Sequence, residues 1–151
     1  MSSFSNTDTP VRKLKFNDKF KPASCHEGDE LYPNGIFEFN ITKLLKFVNE
    51  NPDDFPVEMV DVESIKSFPP TNPDESTIQS ADFSKPIILA EISPGRFNVI
   101  DGNHRLEKAR RDNKDKILAY RLHPEQHVQF LSSKESYEEY IKYWNAKVCG
   151  Q

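Results

Sequence analysis

The chain is expected to fold as one small α+β domain, a mixed sheet packed by helices. Three observations predict this. Stretches with apolar residues at helical spacing alternate with short apolar runs of strand type. A turn signal, "SPGR" at 93–96, separates two such runs and marks a hairpin. From residue 40 onward the order reads helix, strand, loop, hairpin, helix, strand, helix, with no internal repeat and no coiled-coil heptad.

Residues 1–30 are polar with scattered aromatics, and are expected to form a mobile arm or irregular lead-in. Within them "VRKLKF" can pair as an edge strand. The domain proper is expected over 31–151. "NITKLLKFVNEN" reads as a helix capped by Asn40 or Thr42, with Ile41, Leu44, Leu45 and Val48 on one face and Pro52 beyond its end. "VEMVDVESI" alternates loosely as a strand whose apolar members are Val57, Met59 or Val60, Val62 and Ile65. "SFPPTNPDESTIQSADFSK" then reads as a long polar loop, a kind that is often functional or disordered.

The second half is more regular. "PIILAEI" and "GRFNVID" are the hairpin strands, and "HRLEKARRD" is a helix with Leu106 and Ala109 facing inward. Asn113 stands where a left-handed residue closes a helix. "KILAYRL" returns as a strand. "SYEEYIKYWNAKV" is a final helix with Tyr137, Tyr140, Ile141 and Trp144 on its apolar face, which Tyr143 and Phe130 help pack onto the sheet.

Bulk properties narrow the function classes. A length of 151 residues suits one domain. With 36% apolar and 29% charged residues and a mean hydropathy of −0.72, the core is modest, and 11 phenylalanines must supply much of it. Eleven prolines against 5 glycines favour stiff connections. A net charge of −4 argues against a protein that coats nucleic acid through its overall charge. No apolar run approaches the roughly 20 residues that span a bilayer, and no signal-peptide core opens the chain. Cys25 and Cys149 have no metal-ligand spacing, so a cytoplasmic protein with both cysteines reduced is expected.

The chemistry concentrates in "DGNHR", Asp101 to Arg105, where a strand gives way to a helix. Such a junction leaves N–H groups of the first turn without partners, and the helix dipole adds partial positive charge there. Anions bind at such places. Gly102 would let the backbone approach a phosphate closely, while His104 and Arg105 would add donors, Arg105 in a bidentate fork. A plainer account fits the same residues. Asp101 or Asn103 caps the helix, His104 and Arg105 form a solvated first turn, and Gly102 only makes the bend. The spacing leaves both open.

A family resemblance bears on this choice. "PIILAEISPGRFNVIDGNHRLEKARRDNKDKILAYRL", preceded by "VEMVDVESIKSF", resembles the central part of the ParB/sulfiredoxin-like fold over residues 57–122. Members of that fold hold nucleotide phosphates in this turn. Sulfiredoxins carry a reactive cysteine where this chain has Asn103, so their repair reaction has no nucleophile here. Chromosome-partitioning ParB proteins match at Gly102 and Arg105, but Glu107 stands where they have a second arginine, and a carboxylate would repel a triphosphate. No helix-turn-helix pattern follows, which also argues against a partitioning protein. The aspartate-glycine-histidine-histidine-arginine turn of ParB-like free-serine kinases differs only at Asn103.

On that resemblance, Gly102, Asn103, His104 and Arg105 would bind the phosphates of ATP or another nucleotide, and Asp101 would help hold Mg²⁺. Asp101 and His104 are the expected catalytic residues of the turn. A general base would come from Glu75, with Asp74 and Glu91 as the other candidates; the plain alternative for each is a solvated surface carboxylate. A metal site at His123 and His127 lacks a third ligand, and Pro124 between them favours a turn or helix start.

Residues 105–121 carry a net charge of +4, leaving −8 on the rest. This basic segment could contact a nucleic acid or a protein, or form a solvated helix face with pairs such as Glu107–Arg111. Two classes of function follow. One is a nucleotide-dependent enzyme, a phosphotransferase (kinase) or a ParB-like nuclease. The other is a non-catalytic ParB-like module that binds a protein or nucleic-acid partner, as an antitoxin, immunity or regulatory protein would.

Overall fold

The computed structural model describes residues 12–22, 25–34, 37–65 and 74–150. Val11 of "VRKLKF" and residues 67–73 of the expected loop lie outside them. In chain order the elements are β1 (Leu31–Asn34), β2 (Phe37–Asn40), α1 (Ile41–Glu50), β3 (Glu58–Asp61), α2 (Glu75–Gln79), β4 (Ile87–Ser93), β5 (Arg96–Asp101), α3 (Asn103–Arg111), β6 (Lys116–Leu122), α4 (Pro124–His127) and α5 (Lys134–Cys149). Single 3₁₀ turns follow β3 and α4.

Four strands make a mixed sheet in the order β3–β6–β4–β5. β4 pairs antiparallel with β5 and parallel with β6, and β3 pairs antiparallel with β6. Parallel neighbours need a crossover, and β5 with α3 supplies it. β1 and β2 form a separate antiparallel pair.

Both faces of the sheet are covered, which explains the apolar run Ile87–Ala90 in β4. Ile88, Ala90 and Ile92 pack on one face with Ile100, Leu122, β2, α1 and α5. Ile87 and Leu89 pack on the other with Val99, Ile117, Ala119 and the α3 residues Leu106 and Ala109. The fold is therefore α+β with a mixed sheet between helical layers, as expected. Among the described residues no helix is long and apolar enough to cross a membrane.

Most element readings hold. Asn40 caps α1 by accepting from the Lys43 N–H at 3.1 Å, while Thr42 accepts from the Glu30 N–H. Gly95 turns the hairpin with φ 76°, and Asn113 takes φ 55° after α3. Tyr137, Tyr140, Ile141 and Trp144 are all buried on α5. Pro124 opens α4.

Three expectations change, and two strands were not expected. β3 is only four residues long, and its Met59 is 58% exposed because it lies on a sheet edge. The long loop contains α2, which buries Ile78 and is capped by Asp74. β1 and β2 had no reading as strands. Finally, residues 12–16 form no strand and lie instead against α5.

Candidate functional site

β5 delivers Asp101 to the edge of the sheet opposite Ile88, through a register shift between Ile88 and Leu89. The chain then bends at Gly102, which has φ 103° and ψ 23°, and α3 begins at Asn103. A Cβ on Gly102 would lie 2.5 Å from Ile87 Cγ2 and 2.8 Å from Arg105 Nη2, so glycine is required by both conformation and space.

The side chains around this bend do not cap the helix. Gly102 is itself the N-cap, and among the described residues no side chain bonds the first-turn N–H groups. The caps expected of Asp101 and Asn103 are therefore absent. The first helical bond runs from the Leu106 N–H to the Gly102 carbonyl at 3.0 Å. Hence the N–H groups of Asn103, His104 and Arg105 have no partner inside the helix. In contrast, α1, α2 and α5 are capped by Asn40, Asp74 and Ser133.

Asp101 and Asn103 have other partners. The Asp101 carboxylate accepts from Arg105 Nη2 at 3.2 Å. Burial pushes the Asp101 carboxyl above its usual range, while the charge and hydrogen bond of Arg105 oppose that shift. Arg105 Nε is buried with no hydrogen-bond partner among the described residues. Asn103 Nδ2 donates to the Tyr32 hydroxyl at 3.0 Å, which ties the turn to β1. His104 is exposed.

Gly102, Asn103, His104, Arg105 and Asp101 thus converge, as their adjacency dictates, but the candidate bases do not join them. Glu75 binds the Arg111 guanidinium through both oxygens. Arg111 lies six residues beyond Arg105, about 9 Å further along a helix. Its hydrogen bond from Arg111 holds the Glu75 carboxyl below its usual range. Asp74 caps α2. Glu91 accepts from the Gly95 N–H and sits 2.8 Å from His123 Nδ1, at the hairpin end of the sheet. The assignment of Glu75, Asp74 or Glu91 as a base beside the turn is not supported by this placement.

Two nearby groups escaped the sequence reading. Tyr32 touches Asn103 directly, and its hydroxyl keeps its own proton to donate. Asp82 accepts from the Ser84 hydroxyl at 2.7 Å and from its N–H at 2.9 Å. Those bonds lower the Asp82 carboxyl below its usual range, and the charges of Lys85 and Arg105 add to the effect. The "DFS" spacing matches "DES" at 74–76, so the turn it forms was readable, although its proximity to Arg105 was not.

The basic segment is satisfied internally. Lys108 donates to the Ala81 carbonyl, Arg110 to the Ile65 carbonyl, and Arg111 to Glu107 at 2.9 Å, the pair expected from spacing. Lys114 lies over the Phe83 ring at 4.6 Å, and Lys116 pairs with Asp61. Arg121 stacks on Phe97 and pairs with Glu58 at 3.6 Å. A run of cations with such partners behaves as a paired surface more than as a bare electrostatic footprint.

A groove of about 370 Å³ lies away from the turn, lined in part by Met59, Ile65, Leu89, Phe97 and Arg121. Its size does not make it the better candidate, because its charged residues Arg121 and Lys116 already have partners on the neighbouring strand. Among the described residues no group of three or more His, Cys, Asp or Glu side chains is arranged to hold a metal ion. His123 and His127 do not converge: His123 meets Glu91 Oε1, while the buried His127 places Nε2 2.9 Å from the Glu91 carbonyl. Cys25 and Cys149 are exposed and form no disulfide.

No family model matches the chain, and no curated protein matches it either.

Proposed function

We propose that the turn from Asp101 to Arg105 binds a phosphate-bearing ligand, with a nucleotide as the first choice. One observation carries this reading. Gly102 holds a left-handed bend into which no Cβ fits, and the N–H groups that follow it have neither an intrahelical partner nor a side-chain cap, beside a guanidinium. Oriented N–H groups and a local positive charge are what an anionic oxygen needs. Exposed His104 and the Tyr32 hydroxyl would add donors. The likeness of residues 57–122 to the ParB/sulfiredoxin-like fold supports the same class of ligand.

ATP with Mg²⁺ is the proposed form. The phosphates themselves would bring the ion, and Asp101 would offer it a hard oxygen ligand. Catalysis, as phosphoryl transfer or phosphodiester cleavage, would draw on Asp101 and His104. It would also need a base that Asp74, Glu75 and Glu91 do not supply at the turn. That placement favours the second reading, a non-catalytic ParB-like module that binds a protein or nucleic-acid partner, as an antitoxin, immunity or regulatory protein would. A cytoplasmic location is proposed with either reading.

The test is a thermal-shift panel of nucleotides and inorganic phosphate with and without Mg²⁺. The expected result is stabilisation of the wild-type chain that Arg105→Ala reduces strongly. If the wild-type chain shows no shift with any nucleotide at millimolar concentration, the nucleotide reading fails. Metal-dependent nicking of DNA that Asp101→Ala or His104→Ala abolishes would select the nuclease form.

A further inference from the structure

The chain from Ala81 to Ile87 passes along α3 from its second turn to its start. At one end Lys108 Nζ donates to the Ala81 carbonyl at 3.2 Å and lies 5.1 Å from the centre of the Phe83 ring. At the other end Ile87 fills the space beside Gly102. Arg105 is three residues from Gly102 and three from Lys108, so it stands midway between these contacts. Asp82 is thereby laid beside the first turn of α3, where the Arg105 charge acts on its carboxyl.

Asp82 differs from the other carboxylates around α3. Asp101 pairs with Arg105, and both Glu75 and Glu107 pair with Arg111. Exposed Asp82 has no ion pair among the described residues. Its Oδ1 accepts from the Ser84 N–H at 2.9 Å and from the Ser84 hydroxyl at 2.7 Å, which fixes the direction of the carboxylate. Its Oδ2 has no hydrogen-bond partner among the described residues. The bonds from Ser84 hold the carboxyl below its usual range, so it is ionised at neutral pH. An ionised carboxylate can only accept hydrogen bonds. Beside an anion site it repels further anionic groups and selects a ligand that presents donors there.

We propose that Asp82 is a specificity-determining residue of the turn, its Oδ2 accepting from the ribose hydroxyls of a nucleotide whose phosphate lies on Gly102 to Arg105. The inference rests on the phosphate reading of that turn and narrows its ligand to ribonucleotides. In a nucleotide the ribose hydroxyls are the donors nearest the phosphates, and the amino groups of the base lie beyond the sugar. Hydrogen bonds to an ionised acceptor are stronger than those between neutral groups, so removing the hydroxyls costs affinity. Dinucleotide-binding folds join the same two parts, a helix start for the phosphates and a carboxylate for the ribose.

Isothermal titration of the full chain with ATP, 2′,3′-dideoxy-ATP and inorganic phosphate tests this. Omitting Mg²⁺ prevents an ion from bridging the ligand to Asp82. Wild type is expected to bind ATP about tenfold more tightly than 2′,3′-dideoxy-ATP. Asp82→Asn keeps an amide oxygen for Ser84 but loses the charge, and should narrow that difference to about twofold. Its affinity for inorganic phosphate should be unchanged or higher, because a repelling charge is gone; a merely structural role for Asp82 would lower it. Asp82→Ala, with folding checked by circular dichroism, should remove the ribose preference altogether. Equal binding of ATP and 2′,3′-dideoxy-ATP by wild type overturns the ribose assignment while phosphate binding still stands. A preference that survives intact in either folded variant overturns it too. If wild type binds neither phosphate nor nucleotide, the phosphate reading itself fails and this inference falls with it.

Discussion

Asp101 and Arg105 face each other across the glycine bend, Oδ2 to Nη2 at 3.2 Å, with side chains only 19% and 17% exposed. The guanidinium nearest the open helix terminus is therefore already held by a carboxylate. An incoming phosphate meets a divided field, attracted by Arg105 and the first-turn N–H groups and repelled by Asp101.

That division predicts the effect of Asp101→Asn. The amide keeps a hydrogen-bond acceptor for Arg105 but removes the repulsion. Affinity for inorganic phosphate or metal-free nucleotide should rise by about fivefold, on the order of 1 kcal/mol. The extra affinity that Mg²⁺ confers should fall in the same variant. Isothermal titration with and without Mg²⁺ reads both effects, and weaker phosphate binding without metal would contradict the repulsion.

Gly102→Ala should destabilise the fold by about 2 kcal/mol or more, since it combines a left-handed strain with a contact against Ile87. Urea denaturation measures this directly. A variant as stable as wild type would mean that the bend relaxes without cost.

Glu75→Gln and Glu91→Gln should leave the nucleotide-induced thermal shift unchanged. Glu75 is bound to Arg111 and Glu91 to the hairpin end of the sheet. Tyr32→Phe, which removes the acceptor of Asn103, should instead reduce the shift. Equal losses in all three variants would point to a general loss of folding rather than to the site.

A pH effect is expected from His127. Burial drives its pKa down from 6.5 to about 4, and its Nδ1 is buried without a hydrogen-bond partner among the described residues. The folded state thus favours the neutral ring. Its contribution is fully present above pH 6.5, is lost as the pH falls, and is gone below about 4, when the folded state also takes the proton. The loss across that window is about 3 kcal/mol. Chemical denaturation of wild type and His127→Gln from pH 7.5 to 4 checks it, with the difference between their pH slopes carrying the result.

The hairpin, α3, β6 and α5 were legible because each combines a clear period with turn or cap residues. Ile87 to Leu89 and Val99 to Ile100 are apolar runs on either side of Gly95, and Leu106 and Ala109 are three residues apart on one helical face. β1 and β2 were missed for a physical reason. They are four residues each, β1 contains Pro33, and they are strands through non-local pairing, with one another and, at Phe39, with Leu131. α2 was lost among polar residues, since its single buried side chain, Ile78, gives no periodicity.

The residues of the turn were likewise written in the chain, because Asp101 to Arg105 are neighbours in any fold. Local chemistry determined that a strand would end there, that glycine would bend the backbone, and that a helix would start; it left open whether Asp101 or Asn103 caps that helix, which their bonds to Arg105 and Tyr32 decide. Tertiary structure alone decided what faces that helix end. It brought Tyr32 onto Asn103, set Ile87 under Gly102, drew Glu75 away to Arg111, and laid residues 12–20 on α5 more than a hundred residues later. These are contacts between distant segments, fixed by which faces the sheet buries, and no local period or spacing encodes them.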